Sequence, residues 1–518
     1  MARNIVEIVR EKGLLLDKSV FELLKSFDDF SHAVTFLESL EKVSGEKMIT
    51  RGVLSKNVEF VRSMVGKLRG EEKEVVENTF VRLGISLEIR KETSVVLRGS
   101  EKEDVLSYEV FCADTNTDKK LEVKDFVGNF RSRYEQLRGI LISRPELQSS
   151  LMGINKISNE RQSLGIIGIV TEKRTTKNKN LMIKFEDLTG EIAGIVKQDS
   201  EVFSKADELQ LDDVVGVRAS GNSEMLFVHD IFYPDSFKQD RVKFDNDCWV
   251  VFLSDLHCGS GKHLGDEFQK FLKWINEKGE IQDNIKYVFF TGDNVDGVGI
   301  FPGQESELNL KSMEEQYGLV SNYLKQIPKR ITMFMCPGQH DAVRVAEPQP
   351  IISKKYAGVL HDIDNLVLVT SPSRINLIEG KNKVKILMYH GVGLNSIINE
   401  IPELREVKAY SCPARAVRHL LKRRHLAPSH SNVVYIPNAE KDSMVISEVP
   451  DIICTGDIHR LDVDNYNGVL IVCGSCWQLQ TSFEEKMGHI PDICKVPLVN
   501  LKTREIKILD FSGGRDAY

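Results

Sequence analysis

Three features that would place this 518-residue chain in a familiar class are missing or scarce. No stretch approaches the roughly 20 apolar residues of a membrane-spanning helix, so no membrane is expected among its partners. There is no excess of positive charge, because 69 basic and 76 acidic residues give a net charge of −7. This excludes a protein that holds nucleic acid by bulk charge alone. Proline and glycine number only 15 and 36, which excludes collagen-like and low-complexity chains.

The nine cysteines are also informative, because they follow no framework spacing. Charged residues interrupt the apolar core that a signal peptide would need near the N-terminus, at Arg3, Glu7, Arg10 and Glu11. Together these patterns predict reduced thiols and a cytoplasmic protein. The pair Cys473 and Cys476 has zinc or redox spacing, but no second pair lies nearby, and we interpret it as a buried strand end followed by a turn.

The remaining composition is that of an ordinary globular protein, with 41% hydrophobic and 28% charged residues. A length of 518 residues suggests about three or four domains. Apolar residues recur at helical spacing through most of the first 70 residues, which predicts an N-terminal helical domain over 1–70. Residues 71–145 are mixed and charged, and we interpret them as a connector with a short strand at 93–97.

Residues 146–240 change character to short β-branched runs separated by turn residues. Five such runs predict a small β-barrel, and their order resembles an OB-fold. The loop between the first two runs carries candidate nucleic-acid contacts, namely Lys173, Arg174, Lys177 and Lys179. Two alternatives stay open, since a charged loop of this kind is often a solvated hairpin tip, and the barrel could equally dock a protein.

From residue 246 to 518 strands alternate with helical stripes, which predicts a large α/β domain and, for the whole chain, a multidomain α/β fold. Carboxylates and imidazoles follow directly after several of the predicted strands. Because ligands of open α/β sheets bind at the carboxyl ends of strands, these clusters are expected to converge. They are Asp255 with His257, Asp293 with Asp296, Gln339 with His340 and Asp341, His390, and Asp457 with His459.

The residue types suit hydrolysis of a phosphate ester by two metal ions about 4 Å apart. Carboxylate and imidazole ligands favour Mn²⁺, Fe²⁺ or Zn²⁺. One carboxylate has to bridge the two ions, and Asp293, on a sharp turn after Gly292, is the natural bridge.

These motifs, in this order at strand ends, resemble the calcineurin-like metallophosphoesterases over residues 246–510. The resemblance is closer still to the small subunits of archaeal family D DNA polymerases, over residues 125–510. It is carried by GDNVDGVGIFPGQESEL, PGQHDAVRVAEPQP and LLKRRHLAP, and by the order of IPEL, EVPDI and TGDIHR. It implies a calcineurin-like α/β sandwich with 3′→5′ exonuclease activity. It also implies a large catalytic polymerase subunit and DNA as partners, with a sliding clamp as a further candidate.

The resemblance also implies a ligand set in which one metal ion takes Asp255, His257, Asp293 and His459. The other ion takes Asp293, Gln339, His390 and Asp457, and Mn²⁺ is the expected ion. His340 stands at the position of a catalytic histidine, which we expect to protonate the leaving oxygen, and Asp341 is expected to orient it. Two positions depart from the family pattern, because Gln339 replaces an asparagine and Asp457 replaces a histidine.

A basic helix is predicted between two of the clusters, in the stretch RAVRHLLKRRH. It is expected to contact DNA phosphate or the partner subunit, with an ordinary solvated helix face as the alternative. Its candidate residues are Arg415, Arg418, Lys422, Arg423 and Arg424. His419 and His425 are expected at the surface. Tyr410 and Trp477 could stack on a terminal base, although core packing is the stronger expectation for Trp477.

The motifs predict a two-metal phosphoesterase, and the resemblance implies that it is a 3′→5′ exonuclease within an archaeal replicative polymerase. The rival hypothesis is an inactive scaffold that docks and stabilises the large subunit, with Gln339 and Asp457 as signs of decay. An unrelated phosphoesterase is a third hypothesis, but such an enzyme needs neither the barrel nor the family-like stretches.

Overall fold

The computed structural model describes residues 106–115, 120–148, 150–238 and 240–515, and, nearer the N-terminus, 13–25, 27, 30–44, 47–50 and a few single positions up to 76. The predicted strand at 93–97 lies outside these residues. The chain divides into two compact units, residues 1–92 and 93–518. None of the described helices combines the length and apolar character needed to cross a bilayer.

Within its described residues, the first unit contains two helices and a short parallel pair of strands. They are β1 (Leu15–Leu16), α1 (Lys18–Leu24), α2 (Phe30–Ser44) and β2 (Met48–Ile49). Asp17 caps the first helix, because its Oδ1 accepts a hydrogen bond from the backbone N–H of Val20 at 2.8 Å. Leu23, Phe36 and Leu40, which the helical spacing marks as core, are buried. The wider helical domain over 1–70 stays a prediction.

The second unit contains the remaining elements. Its strands within the described residues are β3 (Ser107–Cys112), β4 (Gln162–Thr175), β5 (Leu181–Asp187), β6 (Gly190–Val196), β7 (Val214–Gly221), β8 (Leu226–Phe232), β9 (Trp249–Leu253), β10 (Ile285–Thr291), β11 (Thr332–Cys336), β12 (Leu366–Leu368), β13 (Ser373–Glu379), β14 (Asn382–Met388), β15 (Ile452–Thr455), β16 (Asp462–Tyr466), β17 (Val469–Cys473), β18 (Lys495–Asn500) and β19 (Ile506–Asp510). Its helices there are α3 (Val123–Leu141), α4 (Pro145–Gln148), α5 (Phe203–Asp207), α6 (Gly265–Asn276), α7 (Glu280–Asp283), α8 (Met313–Leu324), α9 (Lys354–His361), α10 (Leu394–Glu400), α11 (Pro402–Glu406), α12 (Ala414–Arg423) and α13 (Ser482–Met487).

Strands β4 to β8 close into a five-stranded barrel with the order β4-β5-β6-β8-β7. The tight turn between β5 and β6 is held by Asp187, whose Oδ1 accepts from the backbone N–H groups of Thr189 and Gly190 at 2.7 and 2.9 Å. The predicted runs match these strands, although β4 continues to Thr175 and so takes Lys173 and Arg174 out of the expected loop. The OB-fold interpretation stays a prediction.

Two six-stranded sheets form an α/β sandwich, as the sequence predicts. The first has the order β12-β11-β10-β9-β18-β19 and the second β16-β17-β15-β14-β13-β3. Phe252, Phe289 and Phe334 from the first sheet form a core with Ile375 and Ile386 from the second. Helices α6 and α8 cover the outer side of the first sheet, and α10 and α12 pack with β15 and β17 of the second.

One strand of this sandwich comes from the predicted connector. β3 pairs antiparallel with β13, and Cys112 lies opposite Ser373. Val110 is buried in the core between the sheets, whereas the other β3 residues are only partly buried. An edge strand of this kind carries a weak alternation of apolar residues, which explains why the sequence pattern does not reveal it.

The nine cysteines are all unpaired, and seven of them are buried. Cys473 and Cys476 lie in the apolar interior at the end of β17, as the sequence predicts. Trp477 is fully buried and packs against Phe268 with ring centroids 4.8 Å apart, so it is a core residue and does not face a substrate.

Candidate metal centre

The carboxyl ends of the central strands meet at one edge of the sandwich. β9, β10 and β11 run parallel in the first sheet, and β14 and β15 run parallel in the second. The loops that leave these ends are joined by backbone hydrogen bonds, for example from Asp255 N to Gly292 O at 3.1 Å and from Gly456 N to His390 O at 2.7 Å. The predicted clusters are therefore brought together.

Three groups of these side chains have ligand atoms within 4.8 Å of one another. They are Asp255 with His257 and His459, Asp255 with Asp293 and His390, and His257 with Asp296 and His340. The Nε2 atoms of His257 and His459 lie 3.0 Å apart, and His390 Nε2 lies 3.3 Å from Asp293 Oδ2. Asp255 is common to two of the groups, whereas Asp293, the carboxylate predicted to bridge two ions, belongs to one of them.

The backbone at this edge adopts a conformation that L-residues rarely take. The φ angle is positive at Asp255, His257, Asp293, Asp457 and His459. Each such position costs free energy, and strain of this kind collects at functional sites. Five of the seven predicted metal ligands carry it, so the loops are shaped to aim these side chains.

Two glycines let the loops approach closely. A Cβ atom at Gly292 would lie 2.1 Å from His390 Nδ1, and one at Gly338 would lie 2.2 Å from Asp293 Oδ1. Any larger residue would displace a predicted ligand, so the Gly-Asp and Gly-x-His spacing of the motifs has a steric cause.

Each of the three histidines predicted as ligands is held through its Nδ1 atom. His257 Nδ1 lies 3.2 Å from Asp296 Oδ1, His459 Nδ1 lies 2.8 Å from Glu484 Oε1, and His390 Nδ1 lies 3.0 Å from Thr291 O. These acceptors fix the proton on Nδ1 and leave Nε2 to face the cluster. Metal-ligating histidines are oriented in this way.

The structure corrects the role expected of Asp341. Its carboxylate accepts from Gly338 N, Asn294 Nδ2 and the Tyr317 hydroxyl at 2.9 to 3.0 Å and makes no contact with the His340 ring. The imidazole of His340 is instead held through Nδ1 by the backbone carbonyl of Asp296 at 2.7 Å. Asp341 therefore fixes the loop, because it is buried and its oxygens are already taken by interior donors.

The two departures from the family pattern lie side by side. Gln339 Nε2 donates to Asp457 Oδ1 at 2.5 Å, and Asn395 Nδ2 donates to Asp457 Oδ2 at 2.8 Å. Burial raises the pKa of Asp457 to about 7, and the neighbouring Asp293 and Asp255 carboxylates add to this rise. The Asp457 carboxylate is thus bonded to two neutral amides. His257 and His459, in contrast, are oriented by the carboxylates of Asp296 and Glu484.

The donor set fits divalent metal ions. Asp255 Oδ2 and His390 Nε2 are buried and have no hydrogen-bond partner. Unpaired polar atoms are costly in an interior, and a cation at this edge would satisfy both. Burial raises the pKa of the Asp293 carboxyl, but the surrounding His390 and His340 imidazoles outweigh this and hold it below its usual range.

The candidate basic residues of the barrel differ in exposure, because Lys173 is partly buried and the other three are exposed. Lys173 Nζ donates to Leu209 O at 3.1 Å, and its pKa is lowered by burial. Arg174 is exposed and pairs with Glu172 at 3.1 Å. Lys177 and Lys179 are exposed on the turn between β4 and β5. A nucleic-acid contact here stays a prediction, and these last two lysines are best placed for it.

The structure corrects the expectation for Arg423 and Arg424 at the end of the basic helix α12, whereas a contact of Arg415, Arg418 and Lys422 with DNA or a partner stays a prediction. Arg423 is buried, donates from Nε to Asp213 Oδ1 at 2.9 Å and from Nη2 to Glu208 O at 2.6 Å. Arg424 is buried as well, and its Nε donates to Ile446 O at 2.6 Å. These guanidinium groups join the helix to the barrel and to the interior, so they are not available to DNA.

The other side chains of α12 also have protein partners. Lys422 pairs with Glu208, Arg418 pairs with Asp464, and Arg415 lies 3.9 Å from Glu403. His419 and His425 are buried, contrary to the expectation of surface positions. His425 lies inside because its Nε2 bonds to the buried Asp442 carboxylate at 3.0 Å.

Sequence reasoning missed several residues that support the site. Glu484 orients His459, and Gln304 and Gln478 each donate to the Asp296 carboxylate at 2.9 Å. The only sequence signal at Glu484 is the spacing Thr-x-x-Glu of a helix capping box, which predicts a helix start and nothing more. Its second oxygen makes that cap, while the first reaches the imidazole.

Comparison with known proteins gives this site its context. A family model for the B subunits of DNA polymerases alpha and epsilon matches residues 250–462, which include all the predicted ligands. A DNA polymerase II small subunit from Methanothermobacter thermautotrophicus is 34% identical over 76% of this chain and 80% of its own length. One from Thermoplasma acidophilum is 35% identical over 78% of this chain and 81% of its own. The chain belongs to the family of DNA polymerase II small subunits.

Two further similarities cover a smaller share of this chain or of the related protein. The Pyrococcus furiosus DNA polymerase II small subunit is 36% identical over 76% of this chain, which spans 64% of that relative's length. Among solved structures, an archaeal phosphodiesterase is matched over 50% of this chain and 98% of its own with 12% identity. The TM-score of 0.25 is too low for that similarity to carry an argument.

Proposed function

We propose that this chain is the small subunit of an archaeal two-subunit replicative DNA polymerase and that its strand-end site is a 3′→5′ exonuclease acting on DNA. The observation that carries the proposal is the cluster itself. Three imidazoles are held by their Nδ1 atoms and turned toward buried carboxylates, in a chain of the polymerase small-subunit family. A large catalytic subunit, DNA and a sliding clamp are the proposed partners.

Two divalent ions, with Mn²⁺ proposed, would be held by Asp255, His257, Asp293, Gln339, His390, Asp457 and His459. When bound, they would activate a water molecule and neutralise charge on the phosphoryl oxygens. The residues of the chain align these groups in advance, through the strained loops and the fixed imidazoles. Preorganisation of this kind lowers the barrier because no rearrangement is needed during the reaction.

His340 is the proposed general acid. The Asp296 carbonyl holds its Nδ1, so the proton that it transfers to the leaving 3′ oxygen sits on Nε2. That atom lies 3.9 Å from Asp293 Oδ2, and the ring packs edge-on against His257 with centroids 4.8 Å apart. His340 therefore lies at the side of the ligand cluster and still keeps partial access to solvent.

The direct test is Mn²⁺-dependent release of nucleotides from a DNA primer with a mispaired 3′ end. We expect His340→Ala to lower the rate by about 10²- to 10⁴-fold, the range that a general acid contributes. The matched control is His361→Ala, since His361 lies on α9 and contacts the backbone carbonyl of Ile352. Equal rates for His340→Ala and wild type would remove His340 from the mechanism.

A second candidate function is a scaffold that only docks the large subunit. One observation favours it, because both Asp457 oxygens are occupied by amides of Gln339 and Asn395. In that case the assembly with the large subunit would form normally but neither bind Mn²⁺ nor release nucleotides. Two bound Mn²⁺ per chain together with nucleotide release would exclude the scaffold hypothesis.

A further inference from the structure

An aromatic pair lies beside the candidate metal centre and has no part in the proposed chemistry so far. The rings of Tyr410 and His489 have centroids 4.2 Å apart and planes inclined by 40°. Tyr410 lies in a 3₁₀ turn, Ala409–Ser411, between α11 and α12. His489 follows α13 directly after Gly488, which ends that helix in the left-handed conformation.

Helix α10 connects Tyr410 to the site. Asn395 and Asn399 lie one helical turn apart on this helix, so their side chains are neighbours. Asn395 Nδ2 donates to Asp457 Oδ2 at 2.8 Å, and Asn399 Nδ2 donates to the Tyr410 hydroxyl at 3.0 Å. Asn395 and Asn399 therefore link the Tyr410 hydroxyl to a predicted ligand through one turn of α10. Burial raises the pKa of the Tyr410 phenol, and the Asp457 carboxylate adds to this rise.

Helix α13 connects His489 to the other side of the same edge. Glu484 orients His459, and the backbone N–H of His489 donates to Glu484 O at 2.9 Å. The His489 carbonyl accepts from Gln480 Nε2 at 2.5 Å, which fixes the loop. The ring contact thus connects two segments: the Tyr410 segment, which is linked to Asp457 through α10, and the His489 segment, which is linked to His459 through α13.

The surroundings of the pair suit a strand of nucleic acid. Tyr410 and His489 are only partly buried, and the neighbouring Ile490 is 48% exposed. Exposed Lys408 comes two residues before Tyr410, and exposed Lys486 comes three residues before His489. Aromatic rings flanked by positive charge are what single-stranded nucleic acid needs for binding. Trp477, the other aromatic considered from the sequence, is excluded by its burial.

We propose that Tyr410 and His489 form a stacking platform for an unpaired nucleobase next to the scissile phosphodiester; this rests on the proposed function. The occupant is a nucleotide of a single-stranded or frayed 3′ end. A base in a duplex is stacked on its neighbours, so it reaches the platform only after it leaves the helix. The platform would thus select mispaired ends by the availability of a free base face.

The first experiment measures stacking without any turnover. The full chain is titrated with a short single strand carrying 2-aminopurine at its 3′ end, in the presence of chelator, and quenching of the fluorescence is followed. We expect quenching with wild type and with Tyr410→Phe, which keeps the ring but loses the hydroxyl bonded to Asn399. Tyr410→Ala is expected to weaken binding by between about 5- and 150-fold, the range of one base–aromatic stack.

The control is Phe237→Ala, because Phe237 is an aromatic residue that is 64% exposed on the segment between the barrel and β9. Equal affinity of wild type and Tyr410→Ala would overturn the platform. A loss that Tyr410→Phe shares in full would also overturn it, since the effect would then belong to the hydroxyl and its bond to α10.

The second experiment separates this inference from the proposed function. Nucleotide release with Mn²⁺ is compared for a normal mispaired 3′ end and for one whose terminal nucleotides are abasic. Wild type should prefer the normal end by about the same factor as in the binding experiment, and Tyr410→Ala should lose this preference. Release from both ends at equal rates by wild type would overturn the platform while the exonuclease stands. No release from either end, with 2-aminopurine quenching retained, would overturn the exonuclease instead.

Discussion

Two regions of this molecule are rich in charged side chains, but the charges are arranged in opposite ways. At the strand-end edge, carboxylates and imidazoles form groups with ligand atoms within 4.8 Å of one another. Asp255 Oδ2 and His390 Nε2 are buried without a hydrogen-bond partner there, although His390 Nε2 lies 3.3 Å from Asp293 Oδ2. In helix α12 the cations have protein partners, such as Asp213 for Arg423 and Asp464 for Arg418. The first region groups donors that would suit a cation, whereas most of the cations in the second already have carboxylate partners.

The difference shows what separates a binding site from a structural network. Buried polar groups are normally paired, so carboxylates and imidazoles that are grouped in the interior, with some atoms lacking hydrogen bonds, suit a cation. A basic stretch whose charges are taken by neighbouring segments serves to hold those segments together. Substitutions at the strand-end edge should therefore change how much Mn²⁺ stabilises the protein. Substitutions in α12 should change stability equally with and without Mn²⁺.

The largest expected effect is at Asp255, which is common to two of the ligand groups. Asp255→Asn should reduce Mn²⁺-dependent nucleotide release by about 10³-fold or more, because several kcal/mol of charge stabilisation depends on the ions. In wild type, Mn²⁺ at 100 times its dissociation constant should raise the free energy of unfolding by about 2.7 kcal/mol per site.

This metal-dependent stabilisation, measured by thermal unfolding with and without Mn²⁺, should vanish in Asp255→Asn. Asp283→Asn is the matched control, since Asp283 is an exposed carboxylate on α7. If Mn²⁺ stabilises Asp255→Asn as much as wild type, the edge does not bind the ion through this residue.

The next largest effect is expected at Arg423. Its substitution should lower the free energy of unfolding by the same amount with and without Mn²⁺. Arg423→Ala leaves the buried Asp213 carboxylate without its partner, which should cost about 3–5 kcal/mol of unfolding free energy. Urea unfolding measures this, with and without Mn²⁺.

Arg415→Ala is the control for Arg423, because Arg415 is far more exposed and its contact with Glu403 is 3.9 Å long. It should change stability by less than about 1 kcal/mol. A double variant, Arg423→Met with Asp213→Asn, should recover most of the lost stability, since it removes the unpaired charge. Equal losses for Arg415→Ala and Arg423→Ala would break the comparison.

A smaller effect is expected from the residue that positions His459. Glu484→Gln should lower the affinity for Mn²⁺ by about 10- to 100-fold, the usual cost of losing an orienting carboxylate. Titration calorimetry measures the affinity, and Glu485→Gln is the control because Glu485 is the exposed next residue. Glutamine also suits the capping box, so the start of α13 should stay intact. Indistinguishable affinities of the two variants would show that Glu484 only caps the helix.

The convergence of the proposed ligands could be predicted because they follow strand ends, and the family resemblance suggested which of them share an ion. Asp255, His257, Asp293, His390 and His459 all lie together as the sequence predicts. The strands that precede them are continuous apolar runs such as Trp249–Leu253, which is buried along its whole length. Buried parallel strands of this kind are among the clearest patterns in a sequence.

The supporting groups could not be predicted, because hydrogen bonds between distant segments leave no local pattern. His340 is held by a backbone carbonyl, that of Asp296, which any residue could supply. Glu484 is separated from His459 by an entire strand pair. The burial of Arg423 depends on Asp213 in the barrel, and nothing in the helical spacing of α12 distinguishes a solvated face from one covered by another segment.

The edge strand β3 has a consequence for any attempt to cut the protein into pieces. It pairs with β13 over six residues, and Glu109 accepts hydrogen bonds from Asn376 and Lys383 at 2.9 Å. The barrel is therefore an insertion within the sandwich. A fragment that starts at β9 would lose this strand and display the open backbone of β13, the kind of surface on which chains aggregate by adding strands. Expression of the sandwich alone should therefore fail unless residues 106–115 are supplied, on the same chain or as a separate peptide.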